Sequence, residues 1–118
     1  MDNFELTQEL DGTAMLSLDE LVESVIQWGA DRGITENSDA KTQYLKLVEE
    51  VGELGGAIAR GRRDDMLDAC GDIIVVALMI MAIEDTSMEE CLGKAWEQIR
   101  HRTGHLRPDG VFVKEEDM

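Results

Sequence analysis

Residues 39–60 read DAKTQYLKLVEEVGELGGAIAR and residues 64–84 read DDMLDACGDIIVVALMIMAIE, and these two stretches decide the fold. Apolar residues recur in both at spacings of three and four, which predicts two helices. Gly61 lies where the first helix should end, because glycine is the usual residue just beyond a helix C-terminus. The connection from Gly61 to Asp64 is short, so the two helices should be antiparallel neighbours.

Helix signals lie on both sides of this hairpin. Ser17 and Glu20 form a capping box that begins a first helix, and Ser87 and Glu90 form a second box that begins a last helix ending near Gly104. We therefore predict an all-α fold, an antiparallel four-helix bundle with a short irregular C-terminal tail.

Weaker patterns border the four predicted helices. Residues 30–38 have the composition of a loop. Residues 1–16 are acidic and weakly patterned, so we expect a loosely ordered segment there and a single domain over residues 17–118. In the tail, residues 111–113 follow a turn signal and are compatible with a short extended segment.

The composition narrows the class of protein and its location. A chain of 118 residues suits one small domain, which would bury more apolar surface as a homo-oligomer, a dimer or a tetramer. The net charge of −15 argues against a nucleic-acid binder, which needs a basic face. Cys70 and Cys91 are isolated and the N-terminus lacks a secretion pattern, so we expect a cytoplasmic protein, in the host cytoplasm if phage-encoded. The apolar run Ile73–Ile83 has 11 residues, too few to span a bilayer, so no membrane partner is expected.

Carboxylates form a stripe on each helix of the hairpin. Glu50 and Glu53 share one face of the first helix, because residues three or four apart lie together on a helix. Asp65, Asp68 and Asp72 share one face of the second. Converging carboxylates repel one another unless a cation neutralises them, and Mg²⁺ prefers oxygen ligands, so the pattern predicts a metal site. The ordinary preference of acids for a helix N-terminus explains Asp65 but explains Asp72, two turns into the helix, poorly.

Three other functions fit parts of the sequence. A carboxylate-bridged di-iron bundle needs Glu-x-x-His motifs, and neither acidic helix contains a histidine. His101 and His105 have the spacing of a zinc pair on a helix, but Gly104 intervenes and no third ligand is evident. A non-catalytic acidic module that binds a basic partner agrees with the net charge of −15.

The hairpin residues resemble a known family. The runs from Gln43 to Leu54 and from Asp68 to Val76 look like the MazG-like all-α nucleoside triphosphate pyrophosphohydrolases, in particular the small members often found in phages. The resemblance covers about residues 18–116, and three shorter runs fit it: residues 28–33, 100–104 and 110–115.

The family's hallmark is an E-x-x-E pair followed on the next helix by an E-x-x-D pair, and the second pair departs from it here. The expected glutamate falls on Ala69, which cannot bind a metal. Asp68, one residue earlier, takes that role in our prediction, with Asp65 or water as substitutes. The metal ligands that the resemblance implies are Glu50, Glu53, Asp68 and Asp72.

The resemblance implies Mg²⁺-dependent hydrolysis of a nucleoside triphosphate between its α and β phosphates, giving a monophosphate and pyrophosphate. Mn²⁺ is a substitute metal, and a guanosine alarmone is an alternative substrate. Glu49 would orient or deprotonate water, or would instead be a solvent-facing acid paired with Lys46. The expected catalytic residues are Glu49, Glu50 and Glu53.

Phosphates also need cations beyond the metal. Trp28 would stack on a base or pack in the core, and Gln43 would read a base edge or face solvent. The arginines around Gly61 are interpreted as a solvated turn: Arg60, Arg62 and Arg63. The expected substrate-binding residues are Gln43, Lys46, Trp28, Lys94, Arg100 and Arg102.

Overall fold

The computed structural model describes residues 16–115, and these are mostly helical, as predicted. The described residues form five helices: α1 (Leu18–Asp31), α2 (Ile34–Asn37), α3 (Ala40–Ala59), α4 (Arg63–Ile83) and α5 (Met88–Ile99). Two strands follow, β1 (Gly104–Leu106) and β2 (Phe112–Lys114). The segment predicted to be loosely ordered, residues 1–16, falls almost wholly outside the described residues.

Two features differ from the prediction. The short helix α2 occupies part of the predicted loop over residues 30–38. In the predicted irregular tail, the extended segment expected at residues 111–113 overlaps β2, but its antiparallel pairing with β1 was not predicted: Gly104 pairs with Lys114 and Leu106 pairs with Phe112. Three residues a strand are too few for an alternation of polar and apolar residues to stand out.

The chain divides into two compact units, one that reaches Asp85 and one that starts at Thr86. The first unit contains α1 to α4, and the second contains α5 and the β-hairpin formed by β1 and β2. The four-helix bundle and the single domain over residues 17–118 therefore stay predictions.

Helices α3 and α4 make the main helix–helix contact of the first unit. The turn between them is a Schellman motif, in which Gly61 adopts a φ of 66°. The N–H of Gly61 donates to the carbonyl of Ile58 at 3.1 Å, and the N–H of Arg62 donates to the carbonyl of Ala57 at 3.0 Å. Gly61 therefore ends the helix as the sequence predicted, and the chain reverses within a few residues.

Side-chain caps fix where the helices begin. Ser17 and Glu20 form the predicted capping box, and both of its hydrogen bonds are 3.1 Å long. Asp39 caps α3 by accepting a hydrogen bond from the N–H of Thr42 at 2.7 Å, which lowers the pKa of its carboxyl group. These caps satisfy N–H groups that have no partner inside the helix.

Helices α1 and α2 pack against α4 and bring the end of α1 close to the acidic hairpin. Gly29 is buried at this contact, and a Cβ atom there would lie 2.3 Å from the sulfur of Met79. The core of the described residues consists of small and aliphatic side chains: Ala57, Ala69, Val76, Leu78 and Met79. The close approach at Gly29 places Trp28 beside α4.

By length and composition alone, α4 is long and apolar enough to cross a membrane. The core helix of a soluble protein passes the same test, so this is weak evidence for a membrane segment. Asp68 and Asp72 lie within the helix, and charged groups are costly inside a bilayer.

Candidate metal centre and its flanking cavities

Three carboxylates converge between α3 and α4. Glu50 and Glu53 lie one helical turn apart on α3, and Asp72 reaches them from α4. One oxygen atom from each residue lies within 4.8 Å of the others. We call these three residues the carboxylate triad. Asp68 is not part of this group, although it is close enough for its charge to affect Asp72.

Glu50 is the buried member of the triad, with 7% of its surface exposed. Its Oε1 atom lies 3.5 Å from the Lys46 ammonium, whereas its Oε2 atom has no hydrogen-bond partner among the described residues. A buried carboxylate oxygen without a donor is costly unless a cation reaches it. The carboxylate oxygens of the triad are ligands that suit a hard divalent cation, so the residues present fit a metal ion.

The crowding of negative charge alters two acids of the triad. A hydrogen bond with Glu50 raises the pKa of Glu53, and the charge of Glu50 adds to this effect. Burial raises the pKa of Asp72, and the charges of Asp68 and Glu50 raise it further. Both shifts mean that the ionised triad is destabilised in the absence of a cation.

Lys46 is a cation beside the triad. Its ammonium group lies 3.6 Å from Glu49 and 3.5 Å from Glu50, and Glu49 is the main cause of its raised pKa. Glu49 itself is exposed, directly precedes Glu50 in α3 and lines a groove together with Glu53. The structure therefore contains the Lys46–Glu49 pair that the sequence allowed as one of two roles for Glu49.

A cavity of about 440 Å³ opens on one side of the triad, where Glu50 and Asp72 form part of its wall. We call it the apolar cavity. It brings together three of the predicted substrate-binding residues with aliphatic side chains of α4. Its lining includes Trp28, Gln43, Lys46, Val75, Val76 and Met79.

Trp28 and Gln43, which line this cavity, each contact a residue outside its lining. Trp28 is 41% exposed, and the guanidinium group of Arg32 lies 4.6 Å from the centre of its ring. This cation–π contact was not predicted, because it depends on how the chain leaves α1. The Gln43 amide donates a hydrogen bond to the Ser38 hydroxyl at 3.1 Å.

A groove of about 500 Å³ lies along α3 and α4 and has Glu53 of the triad in its wall. We call it the arginine groove. It contains two arginines from the turn between the helices, and small residues lie between these and the acids. Its charged lining residues are Arg60, Arg62, Glu49, Glu53, Asp65 and Asp68.

The sequence did not predict that arginines of the turn between α3 and α4 line this groove. Arg60 and Arg62 were interpreted as part of a solvated turn, and both are exposed, yet both line the groove beside Glu53. The signal was present in the spacing, because Arg60 lies seven residues after Glu53 and so shares its helical face.

The other predicted cations lie in the second unit. Lys94 is exposed on α5, and Arg100 lies 3.5 Å from Glu97. Arg102 lines a separate depression of about 430 Å³ together with His101 and Lys114. These cations belong to a different compact unit from the triad, so their assignment to the substrate site stays a prediction.

Comparison with known proteins supports the resemblance. The model of the MazG nucleotide pyrophosphohydrolase domain family matches residues 38–107. An uncharacterized 18.2 kDa protein from the rep-hol intergenic region of Haemophilus phage HP1 (strain HP1c1) is 36% identical over 66 residues. The match covers 56% of this chain and 40% of that relative, so the chain spans less than half of the relative's length. No solved structure matches the chain significantly.

Proposed function

The chain belongs to the MazG nucleotide pyrophosphohydrolase domain family, and we propose that it hydrolyses a nucleoside or deoxynucleoside triphosphate to the monophosphate and pyrophosphate. We propose Mg²⁺ as its metal, with Mn²⁺ as a substitute, and the cytoplasm as its location. The observation that carries the proposal is the carboxylate triad, in which the buried Glu50 oxygen has no donor among the described residues.

Glu50, Glu53 and Asp72 would hold the metal, because their oxygens already lie together. Asp68 would add negative charge beside Asp72 without joining the triad directly. Mg²⁺ bound there would supply charge neutralisation at the phosphate oxygens and would help to position or acidify water. The reaction consumes one water, breaks the anhydride bridge between the α and β phosphates and releases a proton.

Glu49 is the acid that we propose to orient or deprotonate the attacking water. It lines the arginine groove next to Glu53 and is exposed, so water can reach it. Its ion pair with Lys46 is long, at 3.6 Å, and both side chains are more than half exposed, so solvent screens the attraction and the pair contributes little. A phosphate can therefore take Lys46 from Glu49 at little cost and leave the carboxylate free to accept a proton.

The apolar cavity would hold the nucleoside. Its aliphatic wall and Trp28 offer apolar surface to a base, and the Gln43 amide can donate to or accept from a base edge. Lys46 lines this cavity 3.5 Å from Glu50 of the triad, and the α phosphate would lie beside it. Stacking of a base on Trp28 would use the ring face opposite Arg32 or would displace the guanidinium group.

The test is pyrophosphate release from a panel of canonical and modified nucleoside triphosphates, with a guanosine alarmone included, in the presence of Mg²⁺. Loss of an outer partner of a metal ligand typically costs about 10- to 100-fold, so Glu50→Gln should cost at least about 100-fold. Asp68 lies outside the triad, so Asp68→Asn should lower the rate of pyrophosphate release by less than the lower end of that range, about tenfold.

Glu23→Gln is the matched control, because Glu23 is an exposed acid on α1 outside the triad and both cavities. It should release pyrophosphate at the wild-type rate. Absence of release from every nucleotide, or equal rates for Glu50→Gln and Glu23→Gln, would refute the proposed enzyme. Tight binding of a basic protein without turnover would instead favour the acidic interaction module.

A further inference from the structure

We propose that the arginine groove binds the two terminal phosphates of the substrate, the part that leaves as pyrophosphate, through Arg60 and Arg62. This inference rests on the proposed function, because it requires a triphosphate whose scissile bridge lies at the carboxylate triad. It assigns a ligand to two residues that the sequence placed in a solvated turn, and it gives the substrate a direction in the site.

The two cavities lie on different sides of the triad. Glu50 and Asp72 form part of the wall of the apolar cavity, whereas Glu53 forms part of the wall of the arginine groove. A nucleoside triphosphate has an apolar end and an anionic end, with the scissile bridge between them. With the base in the apolar cavity and the bridge at the triad, the β and γ phosphates extend into the groove.

The groove contains the cations that such an anion needs. Arginine binds phosphate in a bidentate manner through its planar donors, which makes it suited to a terminal phosphate. Arg60 has no ion-pair partner within the described range, and Arg62 lies 3.9 Å from Asp65 with both side chains exposed. Both guanidinium groups are therefore available to a ligand.

The turn explains why both arginines reach the groove. In the Schellman motif, Arg60 is the last residue before Gly61 and Arg62 is the first residue after it. The positive φ of Gly61 reverses the chain between them, so one arginine comes from the end of α3 and the other precedes α4. The two side chains thus flank one end of the hairpin's groove.

Gly56 holds Arg60 in this position by lacking a side chain. A Cβ atom at residue 56 would lie 2.7 Å from the Nη1 atom of Arg60, so the guanidinium group rests on α3 at this point. Gly52, one turn earlier, also lines the groove, and nothing lies within 4 Å of the place of its Cβ atom. Helix glycines are unfavourable, and here they leave room for the arginine and for a ligand.

The acids in the groove make the arginines necessary. Glu49, Glu53, Asp65 and Asp68 line the same groove and would repel free pyrophosphate. A metal at the triad offsets part of this charge, and the two arginines add two positive charges on the side away from the nucleoside. The groove should therefore bind pyrophosphate only together with Mg²⁺.

The experiment measures two quantities for the full chain: the KM of the best triphosphate substrate and the dissociation constant of inorganic pyrophosphate with Mg²⁺. Arg60→Ala combined with Arg62→Ala should raise both by about 10- to 100-fold, as expected for hydrogen bonds to charged groups. The affinity for the nucleoside monophosphate product should stay unchanged. Arg63→Ala is the matched control, because Arg63 is exposed at the same turn and does not line the groove.

A second pair of variants tests the position of Arg60 without removing it. Gly56→Ala must displace the guanidinium group, so it should weaken pyrophosphate binding, whereas Gly93→Ala meets open space on α5 and should not. Arg60→Lys should recover part of the affinity lost in Arg60→Ala, because it retains the charge and loses the bidentate geometry.

The outcomes separate the two proposals. If the wild-type protein releases pyrophosphate but the double arginine variant has an unchanged KM and an unchanged affinity for pyrophosphate, the inference is wrong and the proposed function stands. If the double variant loses affinity for the monophosphate to the same extent as for pyrophosphate, the arginines act on the whole site and the inference is also wrong. If the wild-type protein cleaves no triphosphate, both proposals fail.

Discussion

At the scale of single residues, Glu50 is where burial and charge conflict most. Its carboxylate is 7% exposed, it borders two other acids, and one of its oxygens has no donor in the described part of the chain. Without a bound cation, an apolar residue at this position would make the folded protein more stable. The cost is understandable if the site is built for a cation that the fold alone does not supply.

One contribution to the pH dependence of stability comes from Asp72. Its pKa in the folded protein is raised above the ordinary value of 3.8, so the folded state holds a proton more tightly than the unfolded chain. The contribution of Asp72 to stability is therefore fully present below that ordinary value and is lost as the pH rises through the folded pKa. In the absence of metal, Asp72→Asn should have a higher Tm than the wild type at neutral pH.

Mg²⁺ should reverse this order. The wild-type protein should gain stability with increasing Mg²⁺ because a ligand that binds only the folded state stabilises it, whereas Asp72→Asn should gain little. The check is thermal unfolding from acidic to neutral pH, once with a chelator and once with Mg²⁺, with Glu23→Gln as the control. If the wild type and Asp72→Asn were equally stable at neutral pH without metal, the ionised Asp72 carboxylate would not destabilise the folded protein, and the prediction would be wrong.

The sequence predicted the triad better than it predicted its surroundings. Helical spacing places Glu50 and Glu53 on one face, and a short turn places Asp72 opposite them, so their convergence follows from periodicity. Asp68 lies on nearly the same face, and the sequence could not show that it stays outside the group. The positions of Arg32 and Arg60 depend on rotamers and on the glycine beneath Arg60, which periodicity does not describe.

At the scale of elements, long helices with caps and the extended segment near residues 111–113 were predictable, whereas α2, β1 and the pairing of β1 with β2 were not. Ser17 and Gly61 mark helix ends through hydrogen bonds that are local in sequence. The four-residue helix α2 and the three-residue strands are too short to carry a period of their own. Their formation depends on contacts with distant residues, such as the contact of α2 with α4.

The contact between α1 and α4 depends on Gly29. Its hydrogen faces the Met79 side chain, where a methyl group would approach the sulfur to 2.3 Å, and Met79 is buried and has little room to move. Gly29→Ala should therefore lower the free energy of unfolding by about 1–3 kcal/mol, the usual cost of overpacking, in spite of the better helix propensity of alanine.

Gly93→Ala is the control for this change, because the same substitution in α5 meets open space and should stabilise the protein by up to about 1 kcal/mol. Chemical denaturation of both variants gives the comparison. If both variants had a higher free energy of unfolding than the wild type by the same amount, the Met79 side chain would move aside without cost and the prediction would be wrong. Because Met79 also lines the apolar cavity, Gly29→Ala should in addition raise the KM of the nucleotide substrate.

At the scale of the whole molecule, α3 has an apolar face that the described residues leave uncovered. Tyr44, Val48, Val51 and Ile58 are between 50% and 59% exposed. With Gly55 they follow one another at intervals of four, three, four and three, which is the spacing of a helix that packs along another helix. This face lies away from the buried Glu50, so association through it would leave the triad accessible.

We therefore expect a homo-oligomer in which this face of α3 is buried. Val48→Glu would place an unpaired charge in the contact and should weaken association by at least about 100-fold, because burying an isolated charge is costly. Glu23→Gln, which changes an exposed acid on α1, should have no comparable effect. Sedimentation or light scattering over a range of concentrations measures the change.

Salt provides an independent test of the same association. Each chain has a net charge of −15, so like copies repel one another, and this repulsion is screened when the ionic strength rises. Raising it from about 0.01 M to about 0.15 M shortens the screening length from ~30 Å to ~8 Å. Association through an apolar face should then become stronger, whereas association through ion pairs would become weaker. A wild-type protein that stays monomeric at both ionic strengths would contradict the predicted oligomer and would leave the heptad spacing of α3 without a structural role.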